Sequence, residues 1–185
     1  MQSLQNHFLI AMPDLDDSFF ERTVTYICEH NEEGAMGLVI NQPVDLSLTN
    51  LLEQIEIRVP GDSAMRDSMV YAGGPVATDR GFVLHKPQEG WRSSMQLSDD
   101  IMITTSRDIL QSLGSADAPD KFLLTLGYAG WDAGQLEQEL ASNSWLTIPA
   151  DADILFATPS SERWQKATEK LGIHLWQLAP GVGHA

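Results

Sequence analysis

The side chains best suited to chemistry in this sequence are a cysteine and a histidine, Cys28 and His30, in a segment that alternates like a strand. Side chains two positions apart on a strand point to the same face, so the pair could activate a thiolate or bind a metal. Two ligands do not complete a metal site, and cysteine on an apolar face is more often a buried, inert thiol. We therefore predict no metal ion and no catalytic residue here, and leave the reactivity of Cys28 open.

A second place for chemistry lies around an arginine downstream of two glycines. Gly73 and Gly74 could form a bulge or allow a close approach of backbones. Arg80 could bind an anion beside such an exposed backbone, although a structural, hydrogen-bonding arginine is the favoured interpretation. His85, five residues further on, is expected on the opposite face of a regular strand and therefore outside the same site.

Three glycines, Gly127, Gly130 and Gly134, precede a predicted helix, and helix N-termini after such segments often bind phosphate. Their spacing matches neither the dinucleotide-binding nor the P-loop pattern, and no lysine follows. Asp132 would also place a carboxylate where the phosphate should lie. We interpret Gly134 as a position of close approach, with backbone packing favoured over a ligand.

The same segment carries three signals for the start of a helix. Asp132 is predicted as the N-cap, with Gln135 as its capping-box partner, and Trp131 can pack on Leu136 as a hydrophobic staple. Asn41 reads as a turn residue, with a binding role that is not indicated directly. The predicted ligand-binding set is His30, Asn41, Gly74, Arg80, Gly130 and Gly134; no cofactor is predicted.

Composition limits the classes of partner. The 185 residues contain 11 Lys and Arg against 26 Asp and Glu, giving a net charge of −15, and no basic run occurs. Nucleic acids and anionic membranes bind clustered cations, so we expect neither as a direct partner. The single cysteine excludes an intrachain disulfide. No signal peptide and no membrane-spanning apolar segment is evident, which predicts a cytosolic protein.

Strands and helices alternate irregularly, with a hairpin centred on Gly34, which predicts an α+β fold rather than a doubly wound α/β fold. Helices are expected to begin at Ser47, at Thr105 with Asp108, and at Ser160. The second is expected to end at Gly114 and the third at Gly172. Strands are predicted for Phe8 to Met12, Arg22 to His30, Ala35 to Ile40, Val70 to Ala72, Gly81 to His85, Ile101 to Thr104, Phe122 to Leu126 and Trp145 to Ile148.

Several blocks in this order resemble the signature of the YqgE/AlgH family of bacterial proteins. They are Phe8-Leu-Ile-Ala-Met-Pro13, Arg22-Thr-Val-Thr-Tyr26, His30 through Asn41, Gly73-Gly-Pro-Val76, Arg80-Gly-Phe-Val-Leu-His85, Gly127-Tyr-Ala-Gly-Trp131 through Glu137, and Trp145-Leu146 with the final helix. The resemblance implies one compact domain over residues 1–185, ordered from about residue 4 to 172 with a short C-terminal tail. It also implies a bifurcated, mostly antiparallel sheet curled into a pseudo-barrel with flanking helices.

The resemblance implies no established enzymatic activity, cofactor or catalytic residue, and the family name carries an association with transcriptional control. We therefore expect a non-enzymatic, cytosolic regulatory or interaction protein that acts through an unidentified protein partner or small ligand, with any effect on transcription being indirect. The alternative is a small-molecule sensor or enzyme whose site gathers His30, Arg80 and residues near Gly134. The second hypothesis requires His30, Arg80 and the residues near Gly134 to lie close together in the fold, and the first does not.

Overall fold

The computed structural model describes residues 3–11, 22–58, 68–113, 115 and 117–172. Met12 and Gly114, predicted to end a strand and a helix, lie outside these ranges. The described strands are β1 (His7–Ala11), β2 (Val24–Asn31), β3 (Gly34–Val39), β4 (Pro43–Ser47), β5 (Met69–Ala72), β6 (Val76–His85), β7 (Ser94–Gln96), β8 (Met102–Thr104), β9 (Phe122–Asp132) and β10 (Trp145–Pro149). The described helices are α1 (Leu48–Gln54), α2 (Arg107–Ser112), α3 (Gln135–Ala141), α4 (Ala152–Phe156) and α5 (Ser160–Lys170).

The prediction of a hairpin around Gly34 is confirmed. β2 and β3 pair antiparallel from Thr25 opposite Val39 to Asn31 opposite Gly34. Gly34 has a φ of +138°, and a Cβ there would lie 2.2 Å from the carbonyl oxygen of Trp131 on β9. Glycine is therefore required at this turn both by the backbone conformation and by the neighbouring strand.

β9 is the central strand, and the sheet forks along it. One edge of β9 pairs antiparallel with β6. Along the other edge, Val70 to Ala72 of β5 pair parallel with its first half, while Gly34 to Gly37 of β3 pair antiparallel with its second half. The longest path through the sheet runs β10-β1-β2-β3-β9-β6-β8-β7, and β4 joins through β5. Every pairing except β5 with β9 is antiparallel.

Three glycines make the fork possible because backbones approach there without room for a side chain. A Cβ at Gly74 would lie 2.0 Å from the carbonyl carbon of Tyr128, and one at Gly73 would lie 2.4 Å from the oxygen of Gly127. Gly127 itself has a φ of +79°. We call Gly73, Gly74 and Gly127 the fork glycines. The expectation of close approach at Gly73 and Gly74 is confirmed.

The sheet curls into a half-barrel around its main core. That core combines apolar side chains from β1, β2 and β3 with others from β6, β8 and β9, and α4 and α5 close it through Ile154, Leu155, Trp164 and Ala167. Two smaller apolar clusters lie elsewhere, one including residues of α1 and α2 and one including Leu136 of α3. The predicted α+β class, with a mostly antiparallel, curled and bifurcated sheet, is confirmed.

The helix starts follow the predictions only in part. The Ser47 hydroxyl accepts a hydrogen bond from the Asn50 N–H at 3.1 Å, as an N-cap should. α2 instead has Ser106 as its N-cap, not Thr105, and Ser160 is the first residue of α5 after the N-cap Pro159. β4, β7 and α4 were not predicted, because they are three to five residues long and show no full period of alternation.

Candidate functional site

A β-bulge separates the cysteine and histidine that the sequence placed on one face. The β2–β3 register shifts between Ile27 and Glu29, so Cys28 is the extra residue of the bulge. Cys28 consequently packs in the main core, whereas His30 contacts α3 on the other face of the sheet. The expectation that the two side chains share a face is wrong, because the bulge reverses the alternation between them.

His30 is held by two neighbours that use both ring nitrogens. Its Nδ1 accepts a hydrogen bond from the Leu4 N–H at 2.9 Å, and its Nε2 lies 2.5 Å from Oε1 of Glu137. A backbone N–H can only donate, so Nδ1 is unprotonated and the proton is on Nε2, directed at the carboxylate. The His30 side chain is 1% exposed. Its role in this structure is to attach residues near Leu4 and α3 to the end of β2.

The start of α3 differs from the predicted capping box. Asp132 ends β9, and the N-cap is Gly134, whose φ is +78°. The reciprocal half of the box is present, because the Asp132 N–H donates to the Gln135 side chain at 2.9 Å. Trp131 and Leu136 belong to one buried cluster, as the predicted staple requires. Gly127 and Gly130 lie inside β9 rather than in a loop before the helix.

One carboxylate joins both tryptophans of this region to α3. Oε1 of Glu139 accepts hydrogen bonds from the indole N–H of Trp131 at 3.0 Å and of Trp145 at 2.9 Å. The two indoles meet edge to face, with centroids 6.3 Å apart. Gln135 donates to the other carboxylate oxygen at 3.0 Å. Together with Glu137, Glu139 anchors α3 on the sheet.

Glu139→Gln is expected to lower the free energy of unfolding by about 1–2 kcal/mol. The amide loses the charge-assisted bonds to the two indoles, and its NH₂ faces the Gln135 donor. Urea unfolding followed by tryptophan fluorescence measures the change. Glu32→Gln is the charge-matched control because Glu32 is exposed in the β2–β3 turn. Equal midpoints for the two variants would show that the negative charge of Glu139 adds nothing to the bonds with the indoles.

Gly134 was interpreted as a point of close approach, and this interpretation is wrong. A Cβ built there meets no heavy atom of the described residues within 4 Å. The position needs glycine because its φ of +78° is left-handed, which side chains with a Cβ rarely adopt. Gly130 likewise has room, since a Cβ would lie 3.5 Å from the Tyr128 ring.

Asn41 has both ends of its amide in use. Its Oδ1 accepts from the Val24 N–H at 2.9 Å, and its Nδ2 donates to the Arg22 carbonyl at 3.1 Å. It therefore fixes the beginning of β2 rather than its own turn. Gly74 is one of the fork glycines, enclosed by the backbone of β9. Neither position faces a cavity described below, and ligand binding by them stays a prediction.

His85 lies in a hydrogen-bonded chain on the opposite side of β6 from the main core. Its Nδ1 donates to the Lys86 carbonyl at 2.8 Å, so Nε2 accepts from the Thr104 hydroxyl at 2.7 Å. Thr104 in turn accepts from the Ser94 hydroxyl at 2.6 Å. Burial lowers the pKa of His85, partly offset by the bond to the Lys86 carbonyl. The imidazole is neutral and fully enclosed.

Arg80 borders an open groove at the mouth of the half-barrel. The groove encloses about 380 Å³ and is lined by residues of β2, β3, β6, β7, β8 and β9. Arg80 is exposed, and its guanidinium carbon lies 5.5 Å from the centre of the Phe82 ring. We call this the mouth groove; its walls include Glu29, Met36, Arg80, Phe82, Met95 and Tyr128.

The mouth groove is mainly apolar, and its thiol is not activated. Met95 is 55% exposed at its rim, and the Phe82 and Tyr128 rings meet edge to face with centroids 5.8 Å apart. Cys28 lies at the groove wall but is 4% exposed. Burial, and then the nearby Glu29 carboxylate, raise the pKa of the Cys28 thiol well above its usual range. The sulfur is therefore a neutral thiol at physiological pH.

Arg80 is the one member of the predicted ligand set that lines the mouth groove; His30 does not. Apart from Cys28, the remaining wall residues were missed because they come from six strands, or lie next to them, and the arrangement of those strands depends on the fork. The exposed methionine and paired aromatics carry no spacing signal in a single sequence. Within the described residues, no group of three or more His, Cys, Asp or Glu side chains could hold a metal ion. In those same stretches, no helix is long and apolar enough to cross a membrane.

Comparison with known proteins places this architecture in a family. A UPF0301 protein of Idiomarina loihiensis is 68% identical over the full length of both chains, and one of Pseudoalteromonas translucida is 60% identical, again over both full lengths. The solution structure of the AlgH protein from Pseudomonas aeruginosa superposes with a TM-score of 0.80 at 48% identity, covering 100% of both chains. The crystal structure of protein DIP2367 from Corynebacterium diphtheriae, at 20% identity, shares the fold with a TM-score of 0.68 over 98% of this chain and 90% of that one. The family model described as AlgH-like matches residues 8–176, and the chain belongs to this AlgH-like family.

Proposed function

We propose that this protein is a non-enzymatic regulatory binding protein that takes a small ligand into the mouth groove. The observation that carries the proposal is the groove itself: about 380 Å³ of mainly apolar space with one cation, Arg80, among the described residues at its edge. Cavities of about 300–1,000 Å³ with apolar walls and a few polar groups are typical of small-ligand sites.

The state of the titratable side chains supports binding rather than catalysis. A nucleophile needs an adjacent base, and the two imidazoles that are buried in the described part of the chain already use both ring nitrogens elsewhere. His30 bonds to Leu4 and Glu137, and His85 bonds to Lys86 and Thr104. The thiol at the groove wall is held neutral by burial. The sensor hypothesis is kept with Arg80, but without His30 and Gly134 at the same site.

Blocking the groove tests this function. Met95→Cys places a reactive thiol at the exposed rim, and labelling it with a bulky maleimide should fill the groove. Cys28 is buried and should not react in the folded protein. We expect a metabolite library to contain compounds that raise the melting temperature of the wild type, and the label to abolish that shift.

The matched control is Met69→Cys carrying the same label, because Met69 is 48% exposed on β5 and does not line the groove. The labelled control should keep the full thermal shift. If every stabilising compound acts equally on both labelled proteins, the ligand site lies elsewhere and the proposal is wrong. If no compound stabilises the wild type, the proposal is also contradicted.

Regulation in this proposal is indirect. The net charge of −15 disfavours contact with nucleic acid, so a signal to transcription would pass through a protein partner that distinguishes the ligand-bound form. A cytosolic location remains part of the proposal. The partner is expected to be captured from lysate by the wild type and not by the protein labelled at position 95.

A further inference from the structure

We propose that the ligand of the mouth groove is an amphipathic monocarboxylate, with an apolar chain along the groove and its carboxylate on Arg80. This inference rests on the proposed function and adds the chemical class of the ligand. It depends on three features of the groove: the character of its walls, a guanidinium at its edge with no carboxylate partner among the described residues, and a carboxylate on another strand of the wall.

The walls favour a flexible apolar chain. Met36 and Met95 lie on different strands of the groove, and Leu97 and Ile103 add aliphatic surface. Thioether side chains are flexible and polarisable, so they adapt to chains of irregular shape. The edge-to-face Phe82 and Tyr128 rings form the aromatic part of the wall. A ligand that buries this surface gains from the removal of apolar area from water.

Arg80 provides the anion-binding group. No carboxylate of the described residues lies within 4.0 Å of its guanidinium, although acidic residues outnumber basic ones in the sequence by 26 to 11. The Phe82 ring occupies a face of the guanidinium at 5.5 Å. Stacking uses that face and leaves the in-plane N–H donors available, and those donors match a carboxylate in a two-bond arrangement.

Glu29 sets the charge and the direction of the ligand. Its side chain lines the groove from β2, which β3 and β9 separate from Arg80's strand, β6, in the sheet. A ligand carboxylate is repelled from Glu29 and attracted to Arg80, so the charged end lies on the β6 side. One guanidinium facing a protein of net charge −15 suits a single negative charge better than a phosphate dianion.

Three eight-carbon probes with the same chain and different ends test this inference. Isothermal titration calorimetry is used with octanoate, 1-octanol and octylammonium on the full-length protein. We expect octanoate to bind at least about tenfold more tightly than 1-octanol, and more tightly than octylammonium. If 1-octanol binds as tightly as octanoate or more tightly, the inference that the groove recognises a carboxylate is wrong.

Arg80→Gln separates the role of the guanidinium from that of the apolar walls. Because Arg80 is exposed, the variant should fold normally. We expect the variant to bind octanoate about tenfold more weakly or worse, and to bind 1-octanol with unchanged affinity. The control is Arg58→Gln, which removes an exposed arginine outside the groove and should change the affinity for neither octanoate nor 1-octanol. Glu29→Gln should strengthen octanoate binding, and a weakening there counts against the proposed orientation.

The failures of the two proposals are distinguishable. If octanoate and 1-octanol bind equally, resist Arg80→Gln and are both blocked by the label at position 95, the groove binds ligands but the carboxylate inference is wrong. If octanoate binds and the label at position 95 has no effect, both proposals are wrong. If none of the three probes binds while screened metabolites still require an open groove, only the carboxylate inference is wrong.

Discussion

Gly74→Ala is expected to destabilise the protein by more than about 3 kcal/mol, and to leave it largely unfolded if the total stability is ordinary. The new methyl group would lie 2.0 Å from the carbonyl carbon of Tyr128 and 2.2 Å from its oxygen. Both contacts are with the backbone of β9, which cannot rotate away as a side chain could. Relief requires β9 to move, and β9 is simultaneously paired with β3, β5 and β6.

The matched control for Gly74→Ala is Gly130→Ala, on the same central strand. A Cβ at Gly130 would meet only the Tyr128 ring at 3.5 Å, which is an ordinary contact. Because alanine lowers the entropy of the unfolded chain, this variant should be neutral or more stable by up to about 1 kcal/mol. Urea midpoints by circular dichroism give both values. A Gly74→Ala protein as stable as Gly130→Ala would refute the steric account of the fork.

Arg163→Met should lower the free energy of unfolding by about 3–5 kcal/mol, the second largest effect expected. Arg163 is 5% exposed and has no carboxylate partner among the described residues. Its guanidinium instead donates to the carbonyls of Ile40, Ile154 and Thr158. Burial lowers the pKa of Arg163. Methionine removes the free-energy cost of burying a charge. It also leaves the three carbonyls without the guanidinium that donates to them.

Arg22→Met is the control that isolates burial from stacking. Arg163 lies 5.0 Å from the centre of the Tyr71 ring, and Arg22 lies at the same 5.0 Å from the Trp164 ring. Arg22 is exposed, so its loss should cost less than about 1 kcal/mol. Thermal and urea unfolding measure the loss in free energy of unfolding for each variant. Equal losses would mean that stacking, and not the bonds to the three carbonyls, holds Arg163 in place.

Local signals in the sequence predicted local structure well. The alternation from Val24 and the turn at Gly34 define the β2–β3 hairpin, and the hydroxyl of Ser47 defines the start of α1. The same local reasoning failed at Cys28, because a bulge adds one residue without altering composition or alternation over a short window. It also ended β9 at Leu126, since glycines at 127 and 130 resemble a loop.

Most residues of the candidate site could not be predicted from the sequence, for a different reason. Arg80 was identified from its chemistry, but Met95, Phe82 and Tyr128 become neighbours only when β6 and β9 pair and the sheet curls. Gly74 was recognised as a close approach, while its partner strand was not. Pairings between distant segments depend on the whole topology, and a single sequence contains no direct record of them.

The position of β9 in the chain has a consequence for synthesis on the ribosome. β3, β5 and β6 are all translated before β9, the strand that joins them, which begins at Phe122. The β2–β3 hairpin, the β4–β5 pair and the β6–β8 pair can all form before β9 is made. The edges of β3, β5 and β6 that pair with β9 stay open until it emerges. Nascent chains with exposed strand edges and apolar surface are prone to aggregate. Until translation has passed residue 132, the open edges therefore expose the nascent chain to aggregation.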